Sequence, residues 1–167
     1  MIAHWLTPEE PARRRLAQLI QEYAERYGGP VFEPHMTILV SSDDEARAGS
    51  LVQSIAARIP PLELTLLESK AGDRFTKRLY LQLATTPEVT HLHRELRTNS
   101  LEPKDDALDP HVSLLYADVT PEAKIVIPPG LRTIWFDQLH AIVFEPPITT
   151  RLEVESWRTI ATAKLSV

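Results

Sequence analysis

The sequence predicts an α+β fold in which two antiparallel sheets face a central cleft, with helices on the outside. Strand and helix patterns mix along the chain without the regular strand–helix–strand alternation of a parallel sheet. Residues 62–66 and 78–83 alternate apolar with polar side chains, which is typical of an antiparallel hairpin. A six-residue phrase, Pro-His-Met-Thr-Ile-Leu at 34–39, recurs in similar form as Pro-His-Val-Ser-Leu-Leu at 110–115. We therefore expect a single domain, residues 1–167, made of two lobes of similar plan.

Composition places the chain among ordinary soluble domains. Its 167 residues are 43% hydrophobic and 25% charged, and no apolar run reaches the length of a membrane span. The start of the chain lacks the basic and apolar regions of a signal peptide. Cysteine is absent, which excludes disulfides, thiolate metal sites and a cysteine nucleophile and is compatible with the cytoplasmic location that we expect.

The net charge of −5 argues against a protein that coats long nucleic acid, because such proteins present a broad basic surface. It does not exclude a small anionic ligand. The local potential in a cleft can oppose the sign of the whole molecule.

The first part of the chain predicts a strand, a helix and the first motif strand. The strand is the short apolar stretch at 2–6, and Thr7, followed by a proline, is a suitable N-cap. Apolar residues at helical spacing then predict a helix over 8–26, ended by the glycines and proline at 28–30. The first copy of the phrase follows as a strand at 35–40.

The middle of the chain predicts a second helix, the hairpin and a third helix. Asp43 or Asp44 caps the second helix, which runs to about Arg58. A polar loop at 69–74 joins the two hairpin strands. Thr86 and the proline after it open the third helix, which we expect to end near residue 99.

The last part of the chain predicts three strands. An acidic loop leads to the second motif strand at 111–116. Residues 118–130 are rich in proline and predict at most one helical turn. Strands are expected at 133–144, with a possible bulge near Asp137, and at 156–165.

The repeated phrase places a histidine and a hydroxyl on the same face of each motif strand. Side chains alternate between faces in an extended strand, so His35 and Thr37 lie together, as do His111 and Ser113. A single His-x-Ser/Thr is expected by chance in a chain with six histidines. The signal is the joint pattern, because both copies have an acid and a proline before the histidine and apolar residues after it. The alternative is a pair of buried strand histidines, each hydrogen-bonded to a neighbour.

Two imidazoles facing one site suit acid–base chemistry at neutral pH. The unperturbed pKa of histidine is about 6.5, so a neutral ring can take a proton from water while a charged ring gives one to a leaving alkoxide. Hydroxyls on the same faces can donate hydrogen bonds to phosphoryl oxygens without a metal. This combination predicts hydrolysis of a phosphodiester.

Other site classes fit the sequence less well. A metal site needs a third ligand grouped with the histidines, and the acids Glu33 and Asp109 precede prolines that turn the chain. The sequence contains no Gly-x-Ser-x-Gly elbow for a serine hydrolase. It also contains no P-loop or Gly-x-Gly-x-x-Gly, so nucleoside triphosphate and dinucleotide cofactors are not expected.

The residues around both copies resemble the 2H phosphoesterase superfamily, whose signature is a pair of His-x-Thr/Ser motifs on two lobes. Within that superfamily, residues 28–37 and 110–116 are similar to the cyclic phosphodiesterase branch found in plants and fungi. The same branch is resembled by His4-Trp5, which precede a Leu-x-Pro, and by Glu155-Ser156-Trp157. The resembling segments include both motif regions and stretches near both termini, so the resemblance covers most of the chain.

The resemblance implies a bilobal fold with the four motif residues lining a water-filled cleft, and an enzyme that needs no cofactor or metal. It implies hydrolysis of 2′,3′-cyclic nucleotides to 2′-phosphates and of ADP-ribose 1″,2″-cyclic phosphate to ADP-ribose 1″-phosphate. His35 and His111 become the acid–base pair, and Thr37 and Ser113 hold the phosphate. The motif does not decide which histidine is the base; we lean towards His111. Tyr116 matches an aromatic residue near the cleft, whereas residues 118–130 are shorter than in relatives.

Further contacts with substrate are expected from aromatic and basic residues. The chain's most basic stretch contains Phe75, Thr76 and Lys77, which would form a positive rim with an aromatic surface. The alternative is a solvated loop with Phe75 in the core. Trp5 and Tyr116 can stack on a nucleobase, or else pack in the core. Structural roles are expected for the other tryptophans and histidines: core packing for Trp135 and Trp157, strand positions for His4 and His140, and solvated helix positions for His91 and His93.

Three functions remain open from the sequence. The first is hydrolysis of small ribose cyclic phosphates by a monomer that needs neither long nucleic acid nor a membrane. The second is action on an RNA end, for instance a terminal cyclic phosphate or a 2′–5′ linkage, which the acidic balance of the chain disfavours. The third is a non-catalytic nucleotide or RNA binding module with the same fold, which the intact motif residues disfavour.

Overall fold

A computed structural model describes residues 1–104, 107–121, 125 and 127–166. Helices and strands are mixed along these residues, as the sequence predicts. The strands are β1 (Ile2–Pro8), β2 (Met36–Ser41), β3 (Leu62–Ala71), β4 (Leu79–Leu83), β5 (His111–Leu115), β6 (Thr133–Val143) and β7 (Arg158–Lys164). The helices are α1 (Ala12–Tyr27), α2 (Glu45–Ala56), α3 (Pro87–Asn99) and α4 (Arg151–Glu155), and a 3-10 turn spans Phe75–Lys77.

The strands pair antiparallel throughout the described residues, in the order β2-β1-β6-β3-β4-β5, with β7 also paired to β6. Strand β3 joins the two halves of this arrangement. Its first part, Leu62–Thr65, pairs with β6, and its second part, from Leu66 to Ala71, pairs with β4. The α+β class with antiparallel strands is therefore confirmed, and the two motif strands β2 and β5 end the two halves.

Helix α1 begins later than the sequence predicts. Strand β1 continues to Pro8, which pairs with Phe136, and the helix starts at Ala12. Thr7 is therefore not an N-cap; it is 2% exposed, and its hydroxyl lies 2.9 Å from Nε2 of His140. The predicted end is confirmed, because Gly28 adopts a left-handed φ of 77° and its N–H donates to the α1 carbonyl four residues earlier.

Two further elements differ from the prediction. Strand β3 extends to Ala71, so only the end of the predicted 69–74 loop is a loop. Helix α4 was not predicted; it directly precedes the strand expected at 156–165, and that strand begins two residues later than expected, at Arg158. Its sequence signal is a capping box: Thr150 accepts from the N–H of Glu153, and the carboxylate of Glu153 accepts in return.

Other predictions agree with the structure. Asp44 caps α2 by accepting a hydrogen bond from the N–H of Arg47 at 2.8 Å. The β1–β6 register steps over Asp137, which confirms the bulge predicted near that residue. The helical turn considered within 118–130 lies partly outside the described residues, since 122–124 and 126 are not among them.

The core lies between the sheet and the helices. Helix α1 buries Leu16 and Ile20 completely, and α3 buries Leu92 and Leu96. Each fully buried aliphatic side chain contributes roughly 1.5–3 kcal/mol relative to an exposed one. Trp135 is 41% exposed on β6, so its predicted place in the core is wrong.

No helix in the described part of the chain is long and apolar enough to cross a membrane.

Candidate active site

The two motif strands border one cavity of about 480 Å³. Some Cα atoms of β2 lie within 8 Å of Cα atoms of β5, which brings the two copies of the phrase together. His35, Thr37, His111 and Ser113 all line this cavity. The structure thus places the four motif side chains around a single space, and their chemical roles remain predictions.

A register shift at β2 directs the first copy of the phrase into the cavity. Trp5 pairs with Thr37, whereas His4 pairs with Leu39, so Ile38 is an extra residue between the pairs. Cross-strand partners share a face of the sheet. Trp5 and Thr37 therefore face the cavity together, while His4 faces the core.

Both histidines are held in the same tautomer by the residue two positions before them. Nδ1 of His35 lies 2.7 Å from the carbonyl oxygen of Glu33, and Nδ1 of His111 lies 2.7 Å from that of Asp109. A carbonyl oxygen only accepts, so each Nδ1 carries the proton. In the neutral form of each ring, Nε2 is then the unprotonated nitrogen. The backbone of each motif copy thus fixes the tautomer of its own histidine.

The two acidic side chains are themselves held by cations. The carboxylate of Glu33 accepts from Nε of Arg13 at 2.5 Å. Asp109 forms an ion pair with Lys77, and Nε2 of Gln82 donates to its other oxygen at 3.0 Å. These two contacts hold the side chain of Asp109, the residue whose carbonyl accepts from His111.

His35 and His111 occupy different environments. Burial lowers the pKa of His35 to about 4, since desolvation disfavours the charged ring; His111 adds a smaller repulsion in the same direction. Burial also lowers the pKa of His111, but its side chain is 22% exposed and the carboxylate of Asp109 lies 3.6 Å from Nδ1. At His111 the hydrogen bond to the Asp109 carbonyl and the Asp109 carboxylate favour the charged form, while the charge of Lys77 acts with burial to lower the pKa. At His35 only the hydrogen bond to the Glu33 carbonyl opposes the desolvation that lowers its pKa.

Aromatic rings cover His35. The Trp5 ring stacks on it with a centroid distance of 3.6 Å and an interplanar angle of 12°. Trp157 meets both rings edge-on, with centroids 5.2 Å from Trp5 and 6.1 Å from His35. Trp5 is 8% exposed and packs in a small buried cluster, and it also lines the cavity. Stacking of Trp5 on a nucleobase stays a prediction.

Ser113 is fixed by the turn that precedes β4. Its hydroxyl donates to the carbonyl oxygen of Thr76 at 2.8 Å. The phenol of Tyr116 is buried, and its interaction with Ser113 acts against the effect of burial on its pKa. Burial raises the pKa of Tyr116, so its proton stays in place at neutral pH.

Most, but not all, of the other predicted site residues line the cavity. Thr76, Lys77 and Tyr116 line the cavity with the four motif residues. Phe75 does not; it packs partly buried against the core, with its ring tilted against that of Tyr116 at a centroid distance of 6.1 Å. An apolar ring in a 3-10 turn gains more from this contact than from exposure to the cavity, which corrects the expectation of a substrate contact by Phe75.

Several cavity residues were missed by sequence reasoning. Trp157 was expected in the core, but it lines the cavity; its place within Glu155-Ser156-Trp157, which carried part of the resemblance, was the available signal. Lys104 stood in a loop without any pattern. Phe144 and Ile148 form an apolar part of the wall and flank the proline pair that ends β6.

The described residues contain no group of three or more His, Asp or Glu side chains arranged to hold a metal ion. The motif residues that line the cavity with the two histidines are hydroxyl residues, Thr37 and Ser113. The one carboxylate among the described lining residues, that of Asp109, forms an ion pair with Lys77.

A family model described as cyclic phosphodiesterase-like protein matches residues 1–134. The chain belongs to this cyclic phosphodiesterase-like family. It is 27% identical over 172 residues to the cyclic phosphodiesterase of Arabidopsis thaliana, covering 97% of this chain and 93% of that protein. The resemblance to 2H phosphoesterases is thus confirmed, and the protein is an enzyme, a phosphodiesterase.

Solved structures confirm the fold of the cyclic phosphodiesterase-like chain. Escherichia coli LigT in complex with 3′-AMP aligns with a TM-score of 0.65 and 17% identity, over 99% of this chain and 98% of LigT. The protein TT0787 of Thermus thermophilus aligns with a TM-score of 0.69 and 14% identity, over 98% of this chain and 97% of that protein. Identities this low speak for the fold alone.

Proposed function

We propose that this phosphodiesterase hydrolyses small ribose cyclic phosphates without a metal. The substrates are 2′,3′-cyclic nucleotides, opened to 2′-phosphates, ADP-ribose 1″,2″-cyclic phosphate, opened to ADP-ribose 1″-phosphate, or both. One observation carries the proposal: two imidazoles and two hydroxyls from separate strands line a single cavity in a member of the cyclic phosphodiesterase-like family. The aromatic and apolar wall of this cavity suits a nucleobase.

The phosphate lies between the two histidines. Thr37 donates to one non-bridging oxygen, and Ser113 donates to another after its hydroxyl rotates away from the Thr76 carbonyl. The neutral phenol of Tyr116, which interacts with Ser113, can donate to the serine oxygen after this rotation and hold it in position. These donors stabilise the charge that develops on the phosphorus-bound oxygens in the transition state.

The environments of the two imidazoles favour His35 as the base and His111 as the acid, the reverse of the sequence-based leaning. Burial keeps His35 neutral with Nε2 free, so it can take a proton from the attacking water. His111 is more exposed than His35, and both the carbonyl and the carboxylate of Asp109 favour its charged form against burial and Lys77. Its Nε2 then protonates the departing ribose oxygen as the P–O bond breaks. The bound phosphate, being negative, raises the pKa of both rings and makes His35 a stronger base than in the empty site.

Turnover of 2′,3′-cyclic AMP in the presence of EDTA tests the proposal. We expect His35→Ala and His111→Ala each to lower kcat/KM by about 10²–10⁴-fold, the usual contribution of general acid–base catalysis. His91→Ala, an exposed histidine on α3, is the matched control and should leave the rate unchanged. Retention of activity in both cavity variants would exclude the assigned roles.

A substrate with a better leaving group separates acid from base. An aryl phosphodiester releases p-nitrophenolate, which departs without protonation. His111→Ala should therefore recover much of its activity on this substrate, whereas His35→Ala should not. The opposite pattern would restore His111 as the base.

A further inference from the structure

His111 belongs to a closed cluster of side chains that also contains Asp109, Lys77 and Tyr80. The carboxylate of Asp109 lies 3.6 Å from Nδ1 of His111 and forms an ion pair with Lys77. The ammonium of Lys77 lies 4.3 Å from the centroid of the Tyr80 ring, within the range of a cation–π contact. The Tyr80 ring meets the His111 ring edge-on, with centroids 5.6 Å apart. The contacts therefore return to the imidazole from which they start.

The alternation of β4 places Tyr80 beside the second motif strand. The three leucines of β4 are buried, so the residues between them lie on the other face of the strand. In the sheet Tyr80 pairs with Ser113, and Gln82 pairs with His111. Cross-strand partners share a face, so Tyr80 lies on the face of the motif residues. It is not among the described residues that line the cavity, and it contacts the site through Lys77 and His111.

Lys77 and Asp109 act on His111 in opposite directions. Burial and the positive charge of Lys77 lower the pKa of His111, whereas the carbonyl and the carboxylate of Asp109 raise it. Across the cavity, the charge of His111 in turn lowers the pKa of His35. The charge state of His111 thus depends on how closely the carboxylate approaches the ring.

The position of Lys77 decides which part of Asp109 holds the imidazole. Nδ1 of His111 donates to the Asp109 carbonyl at 2.7 Å, although a carboxylate oxygen, the stronger acceptor, lies 3.6 Å away. That oxygen, Oδ2, is the one paired with Lys77, and Gln82 donates to Oδ1 at 3.0 Å. Without the ammonium, Oδ2 would be free to close on Nδ1 and turn the ring away from the backbone carbonyl.

We propose that Lys77 and Tyr80 are positioning residues for His111. Lys77, held against the face of the Tyr80 ring, keeps the Asp109 carboxylate from closing on Nδ1, so the backbone alone sets the orientation of the imidazole. The same restraint keeps His111 from becoming too weak an acid, since proton transfer is most efficient when the pKa of the acid lies near the working pH. This inference rests on the proposed function for the role of His111 as the acid.

Titration of the His111 imidazole by NMR tests the cluster without turnover, with His111→Ala identifying the resonance. In Lys77→Met the pKa of His111 should rise, because a cation is lost and the Asp109 carboxylate is released. In Tyr80→Leu it should also rise, but less, because the ammonium loses the ring that holds it. Tyr80→Phe keeps the ring and should match the unaltered protein.

Lys70→Met is the matched control for the loss of charge. Lys70 is the β3 partner of Tyr80, and its ammonium pairs with Glu68 at 3.0 Å. Its replacement should raise the pKa of His111 far less than Lys77→Met does. An unchanged or lowered pKa in Lys77→Met would overturn the proposal, as would an equal rise in Lys70→Met, since net charge alone would then explain it. Equal pKa values in Tyr80→Leu and Tyr80→Phe would contradict the role of the Tyr80 ring.

The pH dependence of kcat/KM for 2′,3′-cyclic AMP then connects the cluster with the reaction. An acid must be protonated, so activity falls at high pH as His111 loses its proton, and the raised pKa in Lys77→Met should move this limb to higher pH. Tyr80→Leu should move the same limb and leave KM within about twofold, because Tyr80 lies outside the described lining. Limbs that stay in place while the NMR titration moves would contradict a positioning role in catalysis.

The two measurements separate this proposal from the proposed function. Movement of the low-pH limb instead would support the positioning role and make His111 the base, so the acid assignment would fail alone. Failure of the unaltered enzyme to open any ribose cyclic phosphate would refute the proposed function. The NMR titration would still decide whether Lys77 and Tyr80 control the imidazole.

Discussion

His35 and His111 show how far identical sequence contexts can diverge. Each follows an acid and a proline, and each donates Nδ1–H to the carbonyl two residues back. One difference comes from residues distant in sequence, because Trp5 and Trp157 cover His35. Another is local: the carboxylate of Asp109 lies 3.6 Å from Nδ1 of His111, whereas the carboxylate of Glu33 pairs with Arg13. The motif predicted the pair of imidazoles, but its two copies are too alike to predict which ring would be desolvated.

His4 is a buried imidazole outside the site. It is 0% exposed, and neither ring nitrogen has a hydrogen-bond partner among the described residues. Burial lowers its pKa to about 4, although the carboxylate of Asp43 opposes this shift. Because the unfolded chain binds a proton near pH 6.5 and the folded chain near 4, stability is lost as the pH falls through that window.

Replacing His4 with leucine tests this account. Leucine is similar in size to histidine but has no polar side-chain atoms, so His4→Leu removes an unpaired buried polar group. The free energy of unfolding at pH 7 should therefore be unchanged or higher by about 1 kcal/mol. Between pH 7 and pH 5 the unaltered protein should lose about 2 kcal/mol more than the variant. Urea denaturation at both pH values measures this, with the exposed His91→Leu as control. A destabilised His4→Leu with the same acid sensitivity would contradict the assignment.

At the scale of elements, two irregularities position the site. The extra residue Ile38 in β2 turns Thr37 towards the cavity opposite Trp5. The turn before β4 places the Thr76 carbonyl against Ser113. Arg78 ties this turn to the end of β5, because its Nε donates to the carbonyl of Ala117 at 2.9 Å. Neither feature follows from side-chain alternation within one strand, since both depend on a partner segment far away in sequence.

Gly72 allows that turn to close. A Cβ at this position would collide with the backbone carbonyl of Lys77 and would lie 3.5 Å from the Tyr80 ring. Gly72→Ala should therefore displace the turn, release the Thr76 contact with Ser113 and lower kcat/KM by at least about tenfold, with a loss of ~1–3 kcal/mol in stability. Steady-state kinetics and thermal unfolding measure the two effects.

Gly49→Ala is the matched control for this change. In α2 the nearest described atom beyond the helix's own backbone would be the Cβ of Ala161, at 3.9 Å from the added Cβ. Alanine is favoured over glycine inside a helix by about 1 kcal/mol, so the variant should be equally active and slightly more stable. Equal activity of the Gly72 and Gly49 variants would show that the turn does not position Ser113.

At the scale of the molecule, the order of elements was largely predictable and their ends were not. The hairpin, the bulge at Asp137 and the helix capped by Asp44 each carry a local signal. The start of α1 was predicted wrongly because Thr7 satisfies the rules for an N-cap, yet its pairing in the sheet prevails. Helix α4 is too short for an apolar period, which left its capping box as the single cue.

The part of the candidate site that could be predicted was the histidine and hydroxyl of each motif strand, because their spacing within one strand places them on the same face. Assembly of the walls could not be predicted, because Trp157 arrives from the last part of the chain and Lys104 from an irregular loop. The similarity in plan of the two lobes remains a prediction. If two similar lobes form one site, both motif strands must contact the same phosphate.

A crystal structure with adenosine 2′-monophosphate tests most directly whether both motif strands contact the same phosphate. We predict that the 2′-phosphate lies within hydrogen-bond distance, ~2.7–3.2 Å, of Nε2 of both His35 and His111. The hydroxyls of Thr37 and Ser113 should donate to its other oxygens, with Ser113 turned away from the Thr76 carbonyl. A phosphate that contacts one motif strand only, or that lies outside the cavity, would contradict the two-strand site.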